Sequence, residues 1–285
     1  MSHPMARAGG LFDEFYEEVV GAEIDFARFE ASSFEADLVE EARRVWHKRA
    51  HTEFRSVQIM TRFMTEVTGA GDPIDVYASG VDLIEDEVRH TALCAGMCRA
   101  LGFEPRFPEP PRLEDPPDFV SAPMGERALH TAITMLAINE AFSYGYITDL
   151  ERRCEEPTVS AVLEATIADE EGHQDLGWIY IEKSLQRFPD STLPQWRHLV
   201  ATTLEGHLQP ANEILGGLPD EERRLEAWPD EGRVDLGLHS DERHALILAE
   251  TWRDVVEPRL RELDLLPEVA EAADGPLPQF EKPLA

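Results

Sequence analysis

Two short runs in the chain could hold a metal ion: Glu87-Val-Arg-His90 and Glu170-Glu-Gly-His173. Residues three apart on a helix project about 60° from one another, so a carboxylate and an imidazole at this spacing can meet one ion. Oxygen and nitrogen donors of this kind suit iron, manganese or zinc. A bare Glu-x-x-His is weak evidence, because 37 glutamates and ten histidines in 285 residues make about one such pair expected by chance. Both pairs here follow an aspartate, Asp86 and Asp169, and requiring Asp-Glu-x-x-His drops the expectation to roughly 0.1 for even one.

The surroundings of the pairs point the same way. Leu83, Ile84, Glu87, Thr91 and Cys94 share one helical face, as do Leu163, Ile167, Glu170, Gln174, Gly177 and Ile181, so each glutamate interrupts an apolar stripe. A carboxylate buried alone costs several kcal/mol and must be neutralised, paired or bound to a metal. Two more glutamates interrupt such stripes: Glu53 among Trp46, Ala50, Phe54, Val57 and Met64, and Glu140 among Ile133, Leu136, Ala137, Tyr144 and Ile147. Glu53 precedes Glu87 by 34 residues and Glu140 precedes Glu170 by 30. Each interval is the length of a helix, a tight loop and most of a returning helix, so the ligands repeat with two-fold pseudosymmetry.

The elements that must position these residues are helical, since steps of three and four dominate and alternating strand-like runs are nearly absent. An amphipathic segment spans about Leu11 to Phe29, followed by helices over about Asp37 to Thr68 and from Pro73 to Leu101, with a Gly69-Ala-Gly71-Asp-Pro73 breaker between them. Seven prolines between residues 102 and 123 impose an extended connector. Two more long helices, about Met124 to Arg153 and Pro157 to Gln186, meet at a short turn, and helices over Gln195 to Leu215 and Ser240 to Leu263 follow. The order short loop, long crossover, short loop is that of a four-helix bundle with a single crossover. The expected organisation is an N-terminal amphipathic helix (1–36), a four-helix bundle (37–188), a C-terminal helical extension (189–265) and a flexible tail (266–285).

On these residues the sequence resembles the ferritin-like di-iron carboxylate superfamily, over roughly Asp37 to Gln186. That pattern is one Glu from each of two helices and a Glu-x-x-His from each of two others. The resemblance implies an all-α, ferritin-like bundle in which Glu53, Glu87 and His90 bind one iron and Glu140, Glu170 and His173 the other, Glu87 and Glu170 bridging. Manganese fits the same ligands in one or both positions. Asp169 would orient His90 and Asp86 would orient His173, each taking the imidazole's second N–H. Arg89 would neutralise one of these aspartates, or form a surface ion pair. Tyr144, one turn beyond Glu140, either approaches the metals or packs in the core with its hydroxyl satisfied.

Other histidines invite confusion with the site. His47 and His51 lie on the helix of Glu53, but His51 is about 160° round from it, so both are read as outside the site. Asp241-x-x-His244 mimics the motif, yet Ser240 is a natural N-cap and Asp241 and Glu242 suit a first turn, so capping explains the run. Amine-oxidising relatives carry an additional histidine one turn before the last Glu-x-x-His; Thr166 stands there in this chain.

Composition bounds the function. Fifty-seven acidic against 26 basic residues give a formal net charge of -31. Such a surface repels phosphate and argues against nucleic acid and against the tRNA-modifying members of the superfamily. No run of 18 apolar residues and no signal-like start occur, so a cytoplasmic protein without a membrane role is expected. Cys94, Cys98 and Cys154 lack Cys-x-x-Cys spacing and are read as reduced, so electrons would come from a separate reductase rather than a built-in rubredoxin-like centre. The resemblance implies an O2-dependent oxidase or monooxygenase that hydroxylates, desaturates or N-oxidises a small organic substrate, and suggests a homodimer. A ferroxidase, a peroxide reductase and a non-enzymatic helical binding module are the competing readings.

Overall fold

The structure is a computed structural model describing residues 3–4, 24–107, 113 and 115–266. The expected Leu11–Phe29 helix falls outside the described residues up to 23, as does the tail from 267 onward. From Ile24 the chain forms single 3-10 turns at Phe26–Arg28 and Ala31–Ser33. Most of the remaining described chain is helical, joined by loops and short 3-10 turns, and β1 (His3–Pro4) pairs antiparallel with β2 (Arg106–Phe107), His3 facing Phe107 and Pro4 facing Arg106.

The long helices are α1 (Ala36–Ala70) and α2 (Ile74–Ala100). Gly71, at φ +73°, ends α1 in the left-handed conformation that glycine adopts without strain. Pro73 then caps α2, where its missing N–H would have had no helical partner. Among its described residues the proline-rich connector holds one short helix, α3 (Pro117–Ser121), because Pro116 and Pro117 occupy its cap and first turn and leave its interior free of proline.

Helix α4 starts as Met124–Thr131, widens to a π-helical stretch at Ala132–Asn139, and continues as Glu140–Glu151. Helix α5 is Pro157–Leu185, and α6 is Leu193–Gly217. Helix α7 runs from Asp241–Thr251 through a second π stretch, Trp252–Val256, to Glu257–Glu262. No helix among the described residues is long and apolar enough to cross a membrane.

The chain divides into two compact units that do not follow chain order. The first comprises Met1–Arg127, Leu150–Asp169 and Glu231–Leu238; the second comprises Ala128–Asp149, Glu170–Asp230 and His239–Ala285. In the first unit α1 and α2 form a closely packed hairpin. Its core includes Trp46, Ala50, Met60, Phe63 and Val67 from α1 and Leu83, Leu93, Met97 and Cys98 from α2. The segment 231–238 is fastened to this hairpin by Trp46 Nε1, which donates to the Leu236 carbonyl at 2.9 Å, and by an Arg233–Glu41 ion pair. Asp235 also accepts from the backbone N–H groups of Glu155 and Glu156 at 2.7 and 3.2 Å, fixing the start of α5.

Fully buried Glu66 lies 3.3 Å from both Arg62 Nε and Arg127 Nη2. The same two guanidinium groups stack on Phe119 of α3 at 4.6 and 4.9 Å, and Arg62 also pairs with Asp115. The connector is thus fixed to α1 by charge as well as by apolar packing.

In the second unit, α6 packs on α7, and Gly177 of α5 meets the π stretch of α4 so closely that a Cβ there would come within 2.4 Å of the Leu136 carbonyl oxygen. Asp149 binds Arg243 through two contacts of 2.6 and 2.8 Å and also meets His239 at 2.9 Å. Ser240 caps α7 by accepting from Arg243 N at 3.2 Å, and His244 packs edge-on against Tyr146 at 3.8 Å. The Asp241-x-x-His244 run is accordingly occupied in capping and ring packing.

Candidate metal centre

Helical periodicity puts Glu53 on the apolar face of α1, and Glu87 and His90 on the apolar face of α2. The hairpin turns these faces toward each other. His90 Nδ1 lies 4.0 Å from a carboxylate oxygen of Glu53 and 4.0 Å from one of Glu87. One donor atom from each of the three residues lies within 4.8 Å of the other two. Donors held at about 2.0–2.2 Å from one ion stand between about 3 and 4.3 Å apart, according to the angle between them. The separations about His90 fall inside that range. Glu87 and His90 are buried, and the Glu53 side chain keeps 20 % of its exposure.

Behind His90, its Nε2 lies 3.3 Å from Asp169 Oδ2. Arg89 Nε approaches the same carboxylate oxygen at 3.2 Å, while its Nη2 donates to Asp86 at 2.7 Å. A carboxylate on Nε2 holds the ring in the tautomer that leaves Nδ1 unprotonated and facing Glu53 and Glu87. Arg89 bridges both aspartates and offsets their charge beside the buried Glu87 and His90.

In the second unit, Glu170 Oε2 stands 3.4 Å from His173 Nδ1 on α5. Glu140, Glu170 and His173 are each at most 4 % exposed. Glu140 is the first residue after the π stretch of α4, where the backbone turn is wider and the side chains that follow are rotated relative to a continuous α-helix. Tyr144 is half-buried, and its hydroxyl makes no hydrogen bond among the described residues.

Two residues near Glu53 were not singled out as chemical groups by the motif reading. Arg49, one turn before Glu53 and stacked on Trp46 at 4.7 Å, is a cation whose pKa burial pulls down, with Cys94 and Glu53 partly restoring it. Cys94, one turn after His90, has its thiol pushed well up by burial first and by Glu53 second, with Arg49 opposing. The i,i+4 spacing of Arg49 to Glu53 was the available signal. His47 and His51 turn away to the connector, where both Nε2 atoms contact the carbonyl oxygen of Arg106.

Comparison of the chain with protein-family models, with curated proteins and with solved structures finds no match.

Proposed function

We propose that the protein is a di-iron oxidoreductase that uses O2 to oxidise a small organic molecule. The observation that carries this reading is the Glu53, Glu87 and His90 donor set with Asp169 behind the imidazole, a composition that the sequence repeats in Glu140, Glu170 and His173. On this reading Glu53, Glu87 and His90 would hold one ion and Glu140, Glu170 and His173 would hold the other. Bound in the ferrous state, the ions would supply electrons for the reduction of O2.

The chain's own contribution is positional. Asp169 fixes the His90 ring, Arg89 offsets the aspartates, and burial of Glu87, Glu140 and Glu170 keeps bulk water from the donors. Buried carboxylates of this number favour cations over neutral ligands, and mixed oxygen and nitrogen donors favour iron or manganese over soft metals. Without Cys-x-x-Cys pairs to hold an electron-transfer centre, the electrons come from a separate reductase. A ferroxidase is the second reading, favoured by the net charge of -31, which concentrates Fe2+ at the surface.

The test is elemental analysis of protein reconstituted anaerobically with Fe2+, followed by O2 uptake in the same sample. About two irons per chain are expected, lost in Glu87→Ala and in Glu170→Ala and retained in Asp241→Ala. Equal metal content in all three variants would sink the assignment, and absence of bound metal after reconstitution would favour a non-enzymatic helical binding module. O2 uptake that depends on an added organic substrate identifies an oxidase. Uptake that depends on Fe2+ alone and leaves ferric mineral identifies a ferroxidase.

A further inference from the structure

His47 and His51 stand one turn apart on α1, the spacing at which two side chains share a helix face. Their rings are 4.5 Å apart, and Phe103 packs edge-on against His47 at 5.8 Å. Both Nε2 atoms converge on one atom, the carbonyl oxygen of Arg106, at 2.9 Å from His47 and 3.0 Å from His51. The Arg106 N–H also lies 3.3 Å from His47 Nε2. Arg106 is held in place by the pairing of β2 with β1. The result is three donors, two imidazole nitrogens and a carbonyl oxygen, gathered at a half-buried place on the side of α1 away from Glu53.

We propose that His47, His51 and the Arg106 carbonyl form a second cation site, selective for Cu2+ or Ni2+ and independent of the Glu53, Glu87 and His90 centre. Donors at about 2.0–2.1 Å from an ion are about 2.9 Å apart when they subtend a right angle and about 3.4 Å apart when the angle is tetrahedral. The nitrogen-to-oxygen separations match the right angle. Tetragonal geometry with nitrogen and oxygen donors is the preference of Cu2+ and Ni2+, and Cu2+ stands highest in divalent affinity for such sites. Solvent supplies the remaining positions. An ion takes the Nε2 lone pair, so the single proton of each neutral ring sits on Nδ1 in the complex. The net charge of -31 raises the local concentration of any divalent cation.

The test uses the full chain, unsubstituted, as the parent. Ni2+ and Cu2+ are titrated calorimetrically into this parent, into His47→Gln and His51→Gln, and into Asp241→Ala. Glutamine keeps an N–H donor for the Arg106 carbonyl while removing the imidazole. The parent should bind with an affinity that falls about 10–100-fold in either Gln variant, the range over which even supporting groups change metal sites, and that Asp241→Ala leaves unchanged. The Cu2+ complex should show electron-spin coupling to two nitrogens. Should a Gln variant fail to fold, protection of His47 and His51 from diethyl pyrocarbonate by Ni2+ in the unsubstituted protein, mapped by mass spectrometry, gives the same decision. Identical isotherms in parent and Gln variants, absence of binding in the parent, or absence of protection would overturn the site and leave two hydrogen bonds that fasten the connector.

Discussion

At the scale of single residues, the contact that says most is Asp169 on His90. A carboxylate 3.3 Å from Nε2 is well placed to fix the ring, but Arg89 also needs that oxygen, at 3.2 Å. Substituting Asp169→Asn keeps the shape and removes the charge. Metal affinity should then fall by about 10–100-fold with little change in helix content, as measured by competition with a chelator and by circular dichroism. A larger loss of helix than of affinity would mean that Asp169 serves the Arg89 ion pair alone. The thiols make a second prediction at this scale. Burial raises Cys98 and Cys154 to about 12, so both remain protonated at neutral pH. Alkylation of the native protein should stay far slower than that of a small thiol up to pH 9 and reach the small-thiol rate on unfolding; fast labelling at pH 8 would contradict it.

At the scale of elements, the helices were legible because their ends carry strong local signals. The Gly71 and Pro73 break, the Pro157 start and the Ser240 cap set boundaries that lie within a few residues of the observed helices. Glu87 and Glu170 were legible as charges inside apolar stripes. The π stretch before Glu140 was not, because Ala132, Ile133, Leu136, Ala137 and Ile138 are all buried and such a segment has no polar face whose phase could reveal an additional residue. Asp115 and Arg127 were also invisible as partners of Arg62 and Glu66, since they are distant in the chain and no periodicity links them, whereas Arg62 and Glu66 stand at i,i+4. The π stretch depends on Gly177 of α5: a methyl group there would meet Leu136 and Ala137 backbone atoms at 2.4–2.8 Å, and backbone cannot step aside as a side chain can. Gly177→Ala should therefore destabilise by ~1–3 kcal/mol or more, despite alanine's better helix propensity. A melting temperature equal to or above that of the parent would show that the helices separate without cost.

At the scale of the whole molecule, charge dominates. With a net charge of -31, like charges outnumber the surface ion pairs available to them, so repulsion opposes compaction at neutral pH. The buried pairs are insulated from this: Glu66 is fully buried between Arg62 and Arg127, and removing it takes a carboxylate from both guanidinium groups, of which Arg62 keeps Asp115, so Glu66→Ala should cost up to about 3–5 kcal/mol at any salt concentration. The surface repulsion, by contrast, responds to ions. Raising NaCl from about 0.01 M to about 0.15 M shortens the screening length from about 30 Å to about 8 Å. Repulsion between distant carboxylates fades over that interval, while contacts shorter than 4 Å, such as Asp149 with Arg243, are weakened much less. The melting temperature of metal-free protein should rise with NaCl, by about 2–4 °C for each kcal/mol of repulsion removed. A divalent cation such as Mg2+ should do the same at lower concentration, because screening grows with the square of ionic charge. A melting temperature that stays flat or falls with salt would mean that ion pairs outweigh repulsion even at this excess of acid. The acidic surface would then have to be explained by what it attracts, a basic partner or the ferrous ion itself.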